Sequence, residues 1–193
     1  MKIIKQALFI LMALFLLYFS FTTVRQIVVF GPEKLSLGES FFLGFLINLC
    51  VTGIFAFAGF VFPTSKLLPD NYYTIKNSSK LMRLYSILGV KYFQKLLLLF
   101  FWGKKANRKK FFDGTKNGLE RFSYQSKQSE FGHLGPLFVI LLVAILMVFS
   151  SYYLLVFFIV VINIIGNLYP VILQRYHRIR IGKILSTWKL LRI

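Results

Sequence analysis

Long apolar blocks dominate the pattern of this chain. Ala7 to Thr23 and Phe41 to Phe62 are two of them, each long enough to cross a bilayer, since a span takes roughly 20 mostly apolar residues. Lys2 and Lys5 precede the first block as in a signal peptide, but no small-x-small cleavage site follows, so it reads as an uncleaved anchor. Pro63 closes the second. From Leu134 to Leu173 lie 40 residues without one formal charge. A single helix of that length would reach about 60 Å, twice a hydrocarbon core of about 30 Å. The block must therefore fold back, and Ser150-Ser151-Tyr152-Tyr153 is the polar break near its middle. Leu84 to Trp102 differs: Lys91, Gln94 and Lys95 share one helical face and the rest is apolar. Snorkelling lysines suit an interfacial or re-entrant helix better than a full span. The pattern predicts an all-α integral membrane protein, a single membrane domain over residues 1–193, with transmembrane helices at about 7–23, 41–62, 135–150 and 153–173 plus the amphipathic helix.

Composition agrees. The 193 residues are 57% hydrophobic and 16% charged, with 23 Phe, against about 45–50% and about 25% in a typical soluble domain. Disordered chains lack such apolar and aromatic content. One cysteine, Cys50, excludes an intramolecular disulfide framework, and with two histidines and six acids no metal site is expected.

The net charge of +18 is placed unevenly. Residues 63–133 carry fourteen Lys/Arg and four acids, the tail 174–193 carries six Lys/Arg and no acid, and the stretch 24–40 sums to zero. With four spans, both termini and the 63–133 region share one side. The positive-inside rule makes that side cytoplasmic in a multi-pass membrane protein. Topology accounts for the charge, so no nucleic-acid partner is expected. The basic run Lys104, Lys105, Arg108, Lys109 and Lys110 suits anionic lipid or a polyanionic cosubstrate.

Some polar residues are not explained by topology. Asn163, Asn167, Pro170 and Gln174 fall at offsets 0, 4, 7 and 11 on one helical face, and Arg178 extends the stripe. Amides there either join helices by hydrogen bonds or serve a site. Gly166 and Pro170 predict a local kink. Glu130 and His133 stand at E-x-x-H spacing before the other arm of the hairpin, where a carboxylate can orient an imidazole. Antiparallel arms would bring Glu130 and His133 toward Gln174, Arg175, Arg178 and Arg180. A histidine can take a proton from a hydroxyl, and arginines grip phosphate bidentately.

The stretch Asn167-Leu-Tyr-Pro170-Val-Ile-Leu-Gln174-Arg175-Tyr176-His177-Arg178-Ile-Arg180 resembles the C-terminal segment of the glycosyl-4,4'-diaponeurosporenoate acyltransferases, small bacterial membrane proteins of staphylococcal-type carotenoid synthesis. Pro69-Asp70-Asn71-Tyr72-Tyr73, Leu88-Gly89-Val90-Lys91-Tyr92-Phe93 and Ser129-Glu130-Phe131-Gly132-His133 are similar to further segments of that family in the same order, so the resemblance covers about residues 45–193. It implies transfer of a fatty acyl group to a sugar hydroxyl of a glycosylated carotenoid or related glycolipid. The implied partners are the bilayer, a lipid-linked sugar acceptor and an acyl donor. No cofactor is implied beyond acyl-CoA or a similar donor as cosubstrate. The chemistry of the residues assigns His133 as general base and Glu130 as its orienting partner. Asn167 or Gln174 would donate to the developing oxyanion, and Arg175, Arg178 and Arg180 would hold donor phosphates. The competing class is a non-enzymatic membrane protein or accessory subunit with a basic cytoplasmic face. An intramembrane metalloprotease fits less well, because only His133 and His177 could supply imidazole ligands.

Overall fold

A computed structural model describes residues 2–30, 35–100 and 115–190. These are helical and include no strand: α1 Lys2–Phe30, α2 Leu37–Val61, α3 Asp70–Tyr73, α4 Ser78–Ile87, α5 Val90–Phe100, α6 Lys116–Phe149, α7 Tyr153–Asn163 and α8 Tyr169–Leu190. A 3-10 turn at Thr64–Lys66 and a π turn at Ile164–Leu168 complete the list. Ile3–Val29, Leu37–Val61, Lys116–Phe149 and Tyr153–Thr187 are long and apolar enough to cross a membrane, and the chain is a multi-pass membrane protein. The chain divides into two compact units, residues 1–63 with 131–170 and residues 64–130 with 171–193.

In the first unit, α2 starts at a capping box. The Ser36 hydroxyl accepts from the Glu39 N–H at 3.3 Å, and the Ser36 N–H donates to the Glu39 carboxylate at 2.8 Å. Its residues Ile47 and Val51 pack with Ile140, Ala144, Met147, Leu155 and Ile159 at the three-to-four spacing of helical faces. Gly44 makes this approach close: a Cβ there would stand 3.0 Å from the Phe158 Cβ and 3.2 Å from the Ile159 nitrogen. One turn on, the Asn48 amide donates to the Gly44 carbonyl at 2.8 Å and the Ile159 carbonyl at 3.2 Å, joining α2 to α7. The apolar block folds back at the predicted place. Ser151 takes a left-handed φ of 62°, and the Tyr152 hydroxyl turns inward to donate to the Ile27 carbonyl at 2.9 Å.

The predicted spans at about 135–150 and 153–173 lie within longer helices. Helix α6 runs from Lys116 through Pro136, so Glu130 and His133 both lie on it. The kink expected at Gly166 and Pro170 takes the form of a π turn, in which the Tyr169 N–H reaches back to the Ile164 carbonyl. Pro170 has no N–H for the carbonyl four residues back, and the wider turn absorbs that break.

In the second unit, the block from Leu84 onward breaks at Gly89, whose φ is +71°, a conformation glycine adopts at no steric cost. Helices of 10 and 11 residues result, each about 15–17 Å long and too short to span. They pack Tyr85 and Val90 on Leu173, Tyr176 and Ile179 of α8. The basic run Lys104 to Lys110 lies outside the described residues.

Candidate functional site

Two polar clusters are built from residues that helical spacing predicts. In the second unit, Ser126, Ser129 and Glu130 share a face of α6, at offsets 0, 3 and 4. Gln174, Arg175 and Arg178 do the same on α8. Glu130 is fully buried. It accepts from Arg175 Nε at 2.8 Å, from the Tyr72 hydroxyl at 2.8 Å, and from Arg178 Nη2 in a short ion pair. Arg178 Nη1 donates to Ser126 at 3.3 Å, and Gln174 Nε2 donates to Ser129 at 3.1 Å. The Arg175 guanidinium lies 4.6 Å over the Tyr72 ring and that of Arg178 5.2 Å over the Tyr73 ring. A buried carboxylate demands such pairing, because an unpaired one is strongly disfavoured in a medium of low dielectric. Burial, then the bond to Glu130, pushes the Tyr72 phenol above its ordinary range. Burial and the neighbouring Glu130 charge push Tyr73 up to about 12.

In the first unit the cluster is neutral. Asn163 and Asn167 are 1% exposed. The Asn163 amide donates to the Leu137 carbonyl at 3.0 Å, and the Asn167 amide donates to the Asn163 side-chain oxygen at 2.9 Å. The Thr52 hydroxyl stands 3.1 Å from the Asn167 nitrogen, and His133 Nδ1 3.2 Å from the Asn167 oxygen. This chain has a fixed direction. A backbone carbonyl can only accept, so the Asn163 nitrogen faces Leu137 and the Asn163 oxygen faces Asn167. The Asn167 oxygen is then left for His133, and a neutral imidazole facing it carries its hydrogen on Nδ1. The ring also hydrogen-bonds to the Gly166 backbone, whose carbonyl Pro170 cannot serve with a helical N–H.

The residues singled out in the sequence thus divide differently from the expectation. His133 and Asn167 meet, and Glu130 meets Arg175 and Arg178. The Glu130 oxygens go to Tyr72 and two arginines, while the imidazole is held by Asn167. Gln174 goes to Ser129. Arg180 is exposed and leans over Tyr176 at 5.8 Å. Two positions beyond Arg178, it is turned about 200° round the helix. Sequence reasoning missed Thr52 and Ser126 as site residues, and it placed Tyr72, Tyr73 and Ser129 only within matched segments. The serines carried a signal, because Ser126, Ser129, Glu130 and His133 form one stripe of offsets 0, 3, 4 and 7.

Two cavities flank the carboxylate cluster in the second unit. One, of about 520 Å³, is lined by Asn71, Tyr72, Asn77, Lys76, Lys80, Arg175 and apolar neighbours. The other, of about 540 Å³, is lined by Asp70, Ser123, Lys127, Lys183 and Ile179 among others. Asp70 there pairs with Lys127 at 3.0 Å. Among the described residues no three histidines, cysteines or acids group as metal ligands.

No curated protein and no solved structure matches the chain. The family model described as glycosyl-4,4'-diaponeurosporenoate acyltransferase matches residues 69–187. The match begins at Pro69, after the first two apolar helices, and takes in both the carboxylate cluster and the His133–Asn167 pair. It covers more than half of the sequence, and the chain belongs to this family of acyltransferases.

Proposed function

We propose that this protein moves a fatty acyl group from a thioester donor to a sugar hydroxyl of a glycosylated carotenoid acid or a closely related glycolipid. The family match over residues 69–187 is the observation that carries this reading. The anchored imidazole supplies the chemistry. His133 Nε2 takes the proton of the acceptor hydroxyl as that oxygen bonds to the acyl carbon. The carbon–sulfur bond breaks, and the leaving thiolate takes the proton that His133 has accepted. Asn167, Asn163 and Thr52 act as positioning residues, because they fix the ring nitrogen that can accept a proton. Glu130 acts on the arginines, fixing their side chains by ion pairs.

The charge distribution supports a bacterial cell-membrane location with both termini and residues 63–133 on the cytoplasmic side, where an acyl thioester is available. The long apolar acceptor then enters from the bilayer, and its sugar meets the protein at the cytoplasmic interface.

The test is direct. Purified protein in detergent, given an acyl thioester and the glycosylated carotenoid acid, forms an acylated product detectable by mass. His133→Ala lowers turnover by about 10²–10⁴-fold, the usual worth of a general base. Near-normal turnover of a folded His133→Ala protein refutes the assignment.

A further inference from the structure

We propose that the 520 Å³ cavity lined by Lys76, Lys80, Asn77, Tyr72 and Arg175 binds the phosphate of the acyl donor. This deepens the acyltransferase reading and rests on it. The chemistry required is a phosphate-bearing acyl carrier, either a soluble thioester with a phosphorylated handle or a phospholipid.

Charge selects this cavity over its neighbour. Lys76, Lys80, Arg175 and Arg178 all line it, and no acid does. The neighbouring cavity contains Asp70, which already pairs with Lys127. Glu130 stands behind the two arginines and offsets one of them, leaving an excess of about three positive charges on the wall. Neither Lys76 nor Lys80 has an acidic partner among the described residues. Both are exposed, Lys76 just before the N-cap of α4 and Lys80 in its first turn. The N-cap Asn77 makes no side-chain cap bond to that helix and lines the same cavity, so its amide is available to a ligand oxygen.

The two arginines differ in what they can offer. Arg178 is 5% exposed, and its Nη atoms go to Ser126 and Glu130. Arg175 is 30% exposed, with its Nε on Glu130 and its plane over Tyr72. It is held from behind by Glu130 while an edge stays open, which is how a pre-oriented fork receives phosphate. Arg180 stands off this face. The donor-binding set is therefore Lys76, Lys80 and Arg175, not the three arginines that the sequence stripe suggested.

The test uses the full chain in a maltoside detergent that carries no phosphate. Coenzyme A and phosphatidylglycerol are the two probes, each titrated by calorimetry against the parent protein, a Lys76→Ala/Lys80→Ala double variant and a Lys183→Ala control from the other cavity. The double variant changes only exposed side chains, so its fold survives. The expected result is a tenfold or greater loss of affinity in the double variant, about 1.4 kcal/mol, with Lys183→Ala unchanged. A loss seen for coenzyme A assigns the soluble thioester of the proposed reaction, and a loss seen only for phosphatidylglycerol keeps the phosphate site but replaces that thioester by a phospholipid ester as donor. Binding of both probes unaltered by the double variant, no binding of either, or an equal loss in Lys183→Ala overturns the site. Because binding is read without turnover, a double variant that loses affinity in a protein lacking acyl transfer refutes the proposed reaction and leaves the site standing.

Discussion

Replacing Glu130 by glutamine removes one charge and almost no volume, which makes it a clean probe of the buried cluster. The parent carboxylate is fully buried and joins Arg175, Arg178 and Tyr72. The amide can accept on one atom only, and its NH₂ group points a donor at a guanidinium that has only donors. Arg178, 5% exposed, cannot turn to water. Breaking one partner out of a buried ion pair costs about 3–5 kcal/mol, mostly the penalty of the charge left behind. At about 1.4 kcal/mol per decade that is two to four decades in the unfolding equilibrium. Unfolding by dodecyl sulfate in mixed micelles, followed by circular dichroism, reads this difference. Glu130→Leu/Arg178→Leu should lose less than Glu130→Gln, because the double variant removes both buried charges and Arg175, 30% exposed, can reach solvent. A Glu130→Gln cost under about 1 kcal/mol, the range of ordinary surface changes, refutes the reasoning.

Other outcomes follow from single contacts. Asn163→Leu removes the link that sets the Asn167 amide, so turnover should fall with little change in KM, whereas a KM effect alone would argue against a positioning role. Gly44→Val puts side-chain carbons against the Phe158 Cβ and the Ile159 backbone and should destabilise α2 against α7 by about 1–3 kcal/mol in the same unfolding assay, more than Gly38→Val, which meets open space. The Tyr73 phenol, raised to about 12, binds its proton more tightly folded than unfolded. Its share of stability is therefore complete below pH 10 and lost as pH rises toward 12, and Tyr73→Phe should flatten that fall in a pH series of unfolding titrations. Cysteine placed at Ser151 should be labelled from outside intact cells and cysteine at Ser79 only after permeabilisation; labelling of both from the same side ends the topology.

The spans were legible because the signal for them is coarse. A run of 40 uncharged residues is too long for one crossing, and Ser150-Ser151 is its polar break, so the turn at Ser151 followed from length alone. Helix ends were not legible in the same way. Hydropathy marks where apolar side chains stop, but α6 begins at Lys116 and α8 continues to Leu190 through polar sequence. There the backbone keeps its helical hydrogen bonds regardless of side-chain polarity. Pro136 inside α6 is a related case: proline removes one hydrogen bond, and a long packed helix tolerates that loss.

The site was legible as faces but not as partnerships. Helical periodicity puts Glu130 and His133 on a common face, yet a face spans a wide arc, and which neighbour a side chain takes depends on what the opposing helix offers. Glu130 meets guanidiniums, which satisfy a carboxylate better than an imidazole does, since each adds a full charge as well as donors. His133 meets an amide whose direction is dictated two links away by the Leu137 carbonyl. Neither outcome is local to the E-x-x-H spacing. The division has a chemical consequence. A buried carboxylate would hold a histidine by charge as well as by a hydrogen bond and would raise its basicity. Held instead by a neutral amide, His133 keeps a defined tautomer without a neighbouring negative charge, while the charged pairing is kept for the arginines that have to stand still.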